Sequence, residues 1–430
     1  MNDLKTYLRT QKSVVGPLAA FVVCLLVIGC GGHGTITPPP PPVGAGAQTI
    51  MFLSGRALDG SNAANTTGNI WLVKTDGTGL TPVTRLTVSG VAIADATWSP
   101  DGTRMAFVSR RALDGSDSTG ANFALNVWVV NADGSGATAL TKLVSNHNFV
   151  FHPAWSPDGK KLAFQSSQAL DGSDTGISAT NIWVINADGT GATPITKFNG
   201  TINSSAVWSP DGSKIAIESN RFLDGSDLSG AFNVWVMNAD GSGATALTRL
   251  TNDLASNAGP HWSPDGSKLA FESTQALDGS DAPNTNKTKN VWVVAANGSG
   301  ATPLTRLTAA GAVTGGPVWS PDGKRLAFNS ARGLDGGDSM NLNAIVNVWV
   351  VKADGSGAAP FTQATASLAN NFVNGWSPDG NTLVFASGQG LDGNGSLGLN
   401  NIWIINSDGS NSMPLTRLTM ASSASPVWKP

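Results

Sequence analysis

Short apolar strings alternate with polar, turn-forming strings along most of the chain. No stretch of 12 residues keeps a 3.6-residue apolar period, so the pattern predicts strands rather than helices. Lys161-Leu162-Ala163-Phe164 is one such string, and Ser156-Pro157-Asp158-Gly159 precedes it. In that turn Pro presets φ, Asp bonds back to the backbone and Gly takes the left-handed conformation. Asn126 to Val130 is β-branched and aromatic, and Asn-Ala-Asp-Gly-Ser-Gly follows as a second turn. A shorter string, Ala246 to Leu250, completes the set in another copy. Each unit thus reads as four strands. Strand A ends at a Trp before Ser-Pro-Asp-Gly. Strand B follows, then a long loop carrying Leu-Asp-Gly-Ser-Asp. Strand C holds Asn-[Val/Ile]-Trp, and strand D is short.

The unit recurs. The strand A tryptophans are Trp98, Trp155, Trp208, Trp262, Trp319, Trp376 and Trp428. The strand C tryptophans are Trp71, Trp128, Trp183, Trp235, Trp292, Trp349 and Trp403. Together they are all 14 Trp, and each series steps by 52 to 57 residues. Four-stranded units at this period predict a β-propeller. The ends complement each other: the repeats open on a strand B (Thr49 to Ser54) and close on an orphan strand A (Ser425 to Trp428). The expected fold is all-β: a seven-bladed β-propeller of four-stranded antiparallel blades over residues 49–430, closed by the C-terminal strand joining the N-terminal blade.

The N-terminus is different. Lys5, Arg9 and Lys12 precede an apolar run from Val14 to Ile28, too short for a transmembrane helix. The run ends Val27-Ile28-Gly29-Cys30, which resembles the bacterial lipoprotein signal. That resemblance implies a signal peptide over 1–29 and lipidation of Cys30. Residues 30–48 then form a tether with five prolines at 38–42, reaching about 50 Å when extended. The implied location is the bacterial cell envelope, lipid-anchored at the periplasmic face of the outer membrane or at the cell surface. Cys24 is the only other cysteine, so the propeller itself contains no thiol chemistry.

Composition narrows the function classes. The 29 acids include only Glu218 and Glu272; the rest are Asp. Of these 27 Asp, 24 fall in the Ser-Pro-Asp-Gly turn, the C–D turn or the B–C loop. A formal net charge of −3 gives no footprint for nucleic acid. Most of the Asp read as backbone-bonding turn residues. In the B–C loop, Asp114 with Asp117, Asp171 with Asp174 and Asp224 with Asp227 also offer paired carboxylates to a calcium ion. No other cofactor is expected. Arg85, Lys142, Lys197, Arg249, Arg306 and Arg417 are placed on strand D, where an edge charge opposes aggregation. The residue after the strand B aromatic or Ile varies: Leu53, Val108, Gln165, Glu218, Glu272, Asn329, Ala386. It reads as a polar blade-interface or rim position in the four central copies.

The repeat WSPDG-x-x-[LI]-A-F…N-[VI]-W-V-[VIM]-N-A-D-G…L-T resembles the TolB-type propeller repeat, a WD-repeat-like family of bacterial envelope proteins. The resemblance covers residues 49–430 and implies that strand A lies innermost, with the structural tryptophans between blades. Propeller polysaccharide lyases also resemble it, and they hold a metal near the axis with several His and a Gln. Here His152 and His261 stand three and one residues before their Trp, and His147 lies further out, so no convergent three-His site is expected. The B–C and D–A loops share one face, expected to be polar, weakly acidic and poor in aromatic anchors. The expected function is non-catalytic protein or peptide binding on that face by a monomer. The alternative is a metal-assisted polysaccharide lyase or hydrolase at the channel mouth.

Overall fold

The computed structural model describes residues 47–430 except 92, 120–122, 146–147, 174–175, 199, 225–228 and 313. The expected signal peptide, Cys30 and most of the tether lie outside the described residues, as do His147, Asp174 and Asp227. No helix among the described residues is long and apolar enough to cross a membrane.

Seven four-stranded antiparallel sheets form the blades. Blade 1 combines Ser423–Trp428, Thr49–Arg56, Ala64–Lys74 and Thr81–Pro82 as its strands A to D. Blade 4 consists of Asn203–Trp208, Lys214–Arg221, Ser229–Asn238 and Thr245–Ala246. The other blades repeat this order. Each strand A neighbours the strand A of the blades beside it, and Ser423–Trp428 closes that inner ring. Closure pairs Ile50 with Trp428 and Ser54 with Ser423. The Lys429 N–H also donates to the Thr49 carbonyl at 2.9 Å.

The hydrophobic core lies between blades. Strand B alternates its side chains, so Leu162 and Phe164 pack toward blade 2 and Ala163 toward blade 4. The same arrangement closes the ring: Ile50, Phe52 and Trp71 meet Val384, Ile402 and Ile404 of blade 7. The strand C tryptophans are buried to 3% exposure or less. Six strand A tryptophans are 5–8% exposed; Trp319 is more open. Five of the strand A indoles donate Nε1–H to strand A of the preceding blade, as Trp208 does to Ala154 (3.1 Å) and Trp428 to Gly375 (3.2 Å). Each such ring joins area burial to a directional inter-blade bond.

Strand D is shorter than the sequence suggests. In blade 4 it is Thr245–Ala246, not Ala246 to Leu250. The cause is the Asn that opens strand C. Asn233 Oδ1 accepts from Thr248 Oγ1 (2.9 Å) and Leu250 N (2.8 Å), and its Nδ2 donates to Leu250 O (2.9 Å). A side chain thus takes over the ladder bonds and ends the strand. Equivalent bonds recur from Asn69, Asn126, Asn181, Asn290, Asn347 and Asn401. Arg249 and its counterparts are therefore not strand residues. They lie on the exposed segment just past strand D.

Candidate functional site: the loop face and the ring axis

The B–C loop opens at the last residue of strand B or just beyond it, an Arg in four blades and a Gln in three. Arg56, Arg111, Arg221 and Arg332 each place the guanidinium over the strand C Trp of their own blade, 3.7–5.3 Å from the ring. Burial pushes the Arg56, Arg111 and Arg332 guanidinium groups below the ordinary arginine value. Arg56, Arg111 and Arg332 also donate to the carbonyl of Gly60, Gly115 and Gly336 in the loop. The first loop Asp then closes its own turn. Asp114 accepts from Ser116 N and Asp171 from Ser173 N, both at 2.8 Å.

The second loop Asp does something the sequence reading missed. Asp117 accepts from Thr87 N (2.8 Å) and Thr87 Oγ1 (2.6 Å), in the D–A loop of the preceding blade. Asp281 and Asp338 bind Thr251 and Thr308 in the same way. In blade 1, Asn62 replaces the Asp and accepts from Thr419 N at 2.8 Å, which ties the closing seam. These are staples between blades. The clue was present: Asp117, Asp281 and Asp338 each lie 30 residues after a Thr that follows strand D. Asp114 and Asp117 therefore spend their oxygens on different partners. Among the described residues no three His, Cys, Asp or Glu side chains are grouped to hold a metal ion.

Toward the axis, six of the seven strands A carry a left-handed residue three positions before the Trp: Asp95, His152, Ser205, Gly259, Gly316 and Ser425, with φ from 50° to 60°. A non-Gly residue is unfavourable there. The ladder shifts register at this bulge. The bulge leaves a backbone N–H for the preceding blade to satisfy, and in three blades the variable strand B residue does so. Glu218 accepts from Gly259 N (3.0 Å) and Glu272 from Gly316 N (2.7 Å). In blade 7, which lacks the left-handed residue, Asn329 accepts from Val373 N (2.7 Å). Glu272 further pairs with Lys289 at 2.9 Å, and Glu218 with Ser204 Oγ. Both glutamates are blade-interface residues with their oxygens engaged. His152 Nδ1 lies 3.3 Å from Gln165 Oε1, and its backbone N–H donates to Asp95 Oδ2 at 3.2 Å. His261 sits beside Glu272 on a different strand; burial lowers its imidazole below 6.5 and Glu272 opposes that shift.

The loop face differs from the polar, anchor-poor surface expected. Eleven large hydrophobic side chains are exposed among the described residues, and every one belongs to a B–C hairpin or a D–A loop. Five cluster over blades 2 and 3: Val88, Leu113, Phe123, Val144 and Phe149, at 37–58% exposure. Leu113 and Val144 line a pocket of about 210 Å³ together with Ala112, Asp114, Ala124 and Leu143. Phe149 stacks on Phe151 at 6.4 Å, and Phe151 touches the ring of His152. Periodicity could not reveal these positions, because an exposed Phe in a loop and a buried one in a strand look alike in a short string.

The opposite face is built from the A–B and C–D turns. In the A–B turns Ser Oγ donates to the turn Asp, as Ser209 does to Asp211 at 2.6 Å. These bonds lower Asp101, Asp211 and Asp265 to about 2.

No family model matches the chain. It is similar to the Tol-Pal system protein TolB of Anaeromyxobacter dehalogenans (strain 2CP-C), 29% identical over 120 residues, covering 28% of this chain and 23% of that protein. It is also similar to the uncharacterized peptidase YuxL of Bacillus subtilis (strain 168), 27% identical over 209 residues, covering 42% of this chain and 29% of that protein. The matched regions thus span less than a third of either relative's length. Among solved structures, an oligogalacturonate lyase in complex with manganese aligns with a TM-score of 0.54 at 15% identity, covering 87% of this chain and 86% of that one. That likeness is one of fold. The class these observations define is the seven-bladed β-propeller, with a repeat similar to that of TolB.

Proposed function

We propose that this chain is a cell-envelope lipoprotein, anchored through Cys30, whose propeller binds a protein or peptide partner without catalysis. The binding surface is the face of B–C and D–A loops. The observation that carries this reading is the segregation of all eleven exposed large hydrophobic side chains to that one face. Contiguous exposed apolar area on a soluble domain marks an interaction site. The Asp117 staple to Thr87 ties the loop that carries Leu113 and Phe123 to the preceding blade, which limits the ordering entropy lost on binding. The cluster over blades 2 and 3, with its two aromatic rings and side-chain-sized pocket, is the anchor region.

The test is affinity capture from native envelope with two paired variants. Leu113→Asp with Phe123→Ser alters the loop face; Lys160→Asp with Lys161→Ser alters the turn face. The reading expects a partner lost only with the first pair. A partner retained by both, or lost equally from both, contradicts it. The enzyme alternative draws on the manganese-bound lyase fold and on His152 beside Gln165. Manganese-dependent release of unsaturated uronates from polygalacturonate would favour it. Lipidation is checked separately: Cys30→Ser abolishes incorporation of labelled fatty acid.

A further inference from the structure

Six clefts on this face set a strand A Trp and its Ser-Pro-Asp-Gly turn against the preceding blade, so each shows what the others are shaped to hold. In the cleft between blades 2 and 3, Arg104 lays its guanidinium over Trp155 at 4.9 Å and donates Nη2–H to the Gly159 carbonyl at 3.3 Å. Between blades 6 and 7, Arg325 stacks on Trp376 at 4.6 Å and donates to Ser407 O at 2.6 Å. Between blades 1 and 2, Lys429 reaches over Trp98 at 5.6 Å, its stem running past Gly102. The recurring seat is the face of a strand A Trp, and in the first and third of these clefts the Gly of its Ser-Pro-Asp-Gly turn lies beside the cation.

Between blades 5 and 6 the residue at the register of Arg104 is Lys268. No cation stacks on Trp319 among the described residues. Trp319 is also the strand A tryptophan that stays partly exposed. A cavity of about 370 Å³ opens against it, bounded by Pro264, Asp265, Lys268, Asp322 and Gly323. The Trp and the turn Gly that seat Arg104 are thus both present, with room above them. Two carboxylates stand at the rim. Ser263 Oγ donates to Asp265 at 2.6 Å and Ser320 Oγ to Asp322 at 2.6 Å, so both are ionised at neutral pH. The Lys429 ammonium stands further from its ring (5.6 Å) than the Arg104 (4.9 Å) and Arg325 (4.6 Å) guanidinium groups, and a planar guanidinium both stacks on the ring and keeps its edge free to donate.

We propose that the cleft between blades 5 and 6 is a binding site for a guanidinium group, an arginine side chain presented by another molecule. It lies on the face opposite the apolar loops and is independent of the loop-face reading. Trp319 supplies the stacking surface, the Gly323 carbonyl accepts one N–H, and Asp265 and Asp322 supply the charge complement. Lys268 is the residue the incoming group displaces toward solvent.

The test uses the full chain labelled with 5-fluorotryptophan, with the Trp319 fluorine resonance assigned by Trp319→Phe. N-acetylarginine amide is titrated against its neutral isostere, N-acetylcitrulline amide. The expected result is a saturable shift of the Trp319 resonance, at least tenfold weaker with citrulline. Lys268→Arg copies blades 2 and 6 and fills the seat internally. It is expected to move that resonance without ligand, to abolish the titration and to raise the thermal midpoint. No saturable shift, equal shifts with both amides, or an unchanged titration in Lys268→Arg overturns the proposal. The other indole resonances report whether each variant is folded.

Discussion

The turn face and the loop face of this ring are made from the same repeat and differ in what their variation touches. On the turn face the copies nearly coincide. Ser209 with Asp211 and Ser263 with Asp265 make the same short bonds, and no large apolar side chain is exposed there among the described residues. On the loop face the copies diverge. Phe123, Phe149, Phe222 and Met420 stand where the counterpart loops carry other residues, and Leu254 and Leu368 share one position that is Gly in three other loops. Beneath that variation the fixed parts persist: an Arg or Gln at the loop base, a turn Asp, and the Asp–Thr staple in three of the seams. Binding residues concentrate on loops that vary over a fixed scaffold, which is the ground for the binding proposed for this face.

The largest effect tests what both faces share. Deleting Ser423 to Pro430 removes strand A of blade 1, the Trp428 bond to Gly375 and the Lys429 bond to Thr49. The ring should lose cooperative unfolding and become sensitive to protease at low concentration. Unaltered resistance would refute closure by the C-terminal strand. Next comes Trp208→Ala, expected to cost about 3–5 kcal/mol as a large aromatic truncation in a packed interface. A denaturant midpoint unchanged within error would remove the strand A tryptophans from the core account. Asn233→Ala leaves Thr248 Oγ1 and the Leu250 backbone without their partner, at about 1–3 kcal/mol in chemical denaturation. A neutral result would show that the Asn–Thr bonds do not set where strand D ends.

Acid separates the two faces more gently. Asp101, Asp211 and Asp265 fall from the ordinary 3.8 to about 2 in the folded protein. A depressed carboxylate stabilises the folded state fully above its unfolded value, and this contribution fades as pH falls toward the folded value. Stability supplied by the turn face should therefore decline between about pH 4 and pH 2. Asp211→Asn should flatten part of that decline in thermal midpoints; an unchanged slope would mean the turn bond carries no linkage. The smallest expected effect is calcium. Asp114 and Asp117 already accept from Ser116 and Thr87, so midpoints with calcium and with chelator should coincide. A clear rise with calcium would reopen the paired-carboxylate reading of these loops.

Blade number, closure and the tryptophan positions were legible in the sequence because they repeat, and repetition survives the ambiguity of short apolar strings. The length of strand D was not. Arg249 follows residues of good strand propensity, and only the Asn233 side chain, 17 residues from Leu250, removes the ladder. The role of Glu218 and Glu272 was legible only in outline. Their place at a blade interface follows from strand B, but the acceptor function depends on a bulge in the next blade. The apolar character of the loop face could not be read at all. Exposure is a tertiary property, and Phe149 in isolation resembles a strand residue.

Site-specific photocrosslinking in living cells tests the central claim most directly. A photoreactive phenylalanine analogue replaces Phe123 on the loop face or Lys160 on the turn face, in the full chain. The account predicts a discrete crosslinked species from position 123, abolished by Leu113→Asp, and none of the same mass from position 160. The same species from both positions, or from position 160 alone, would contradict it.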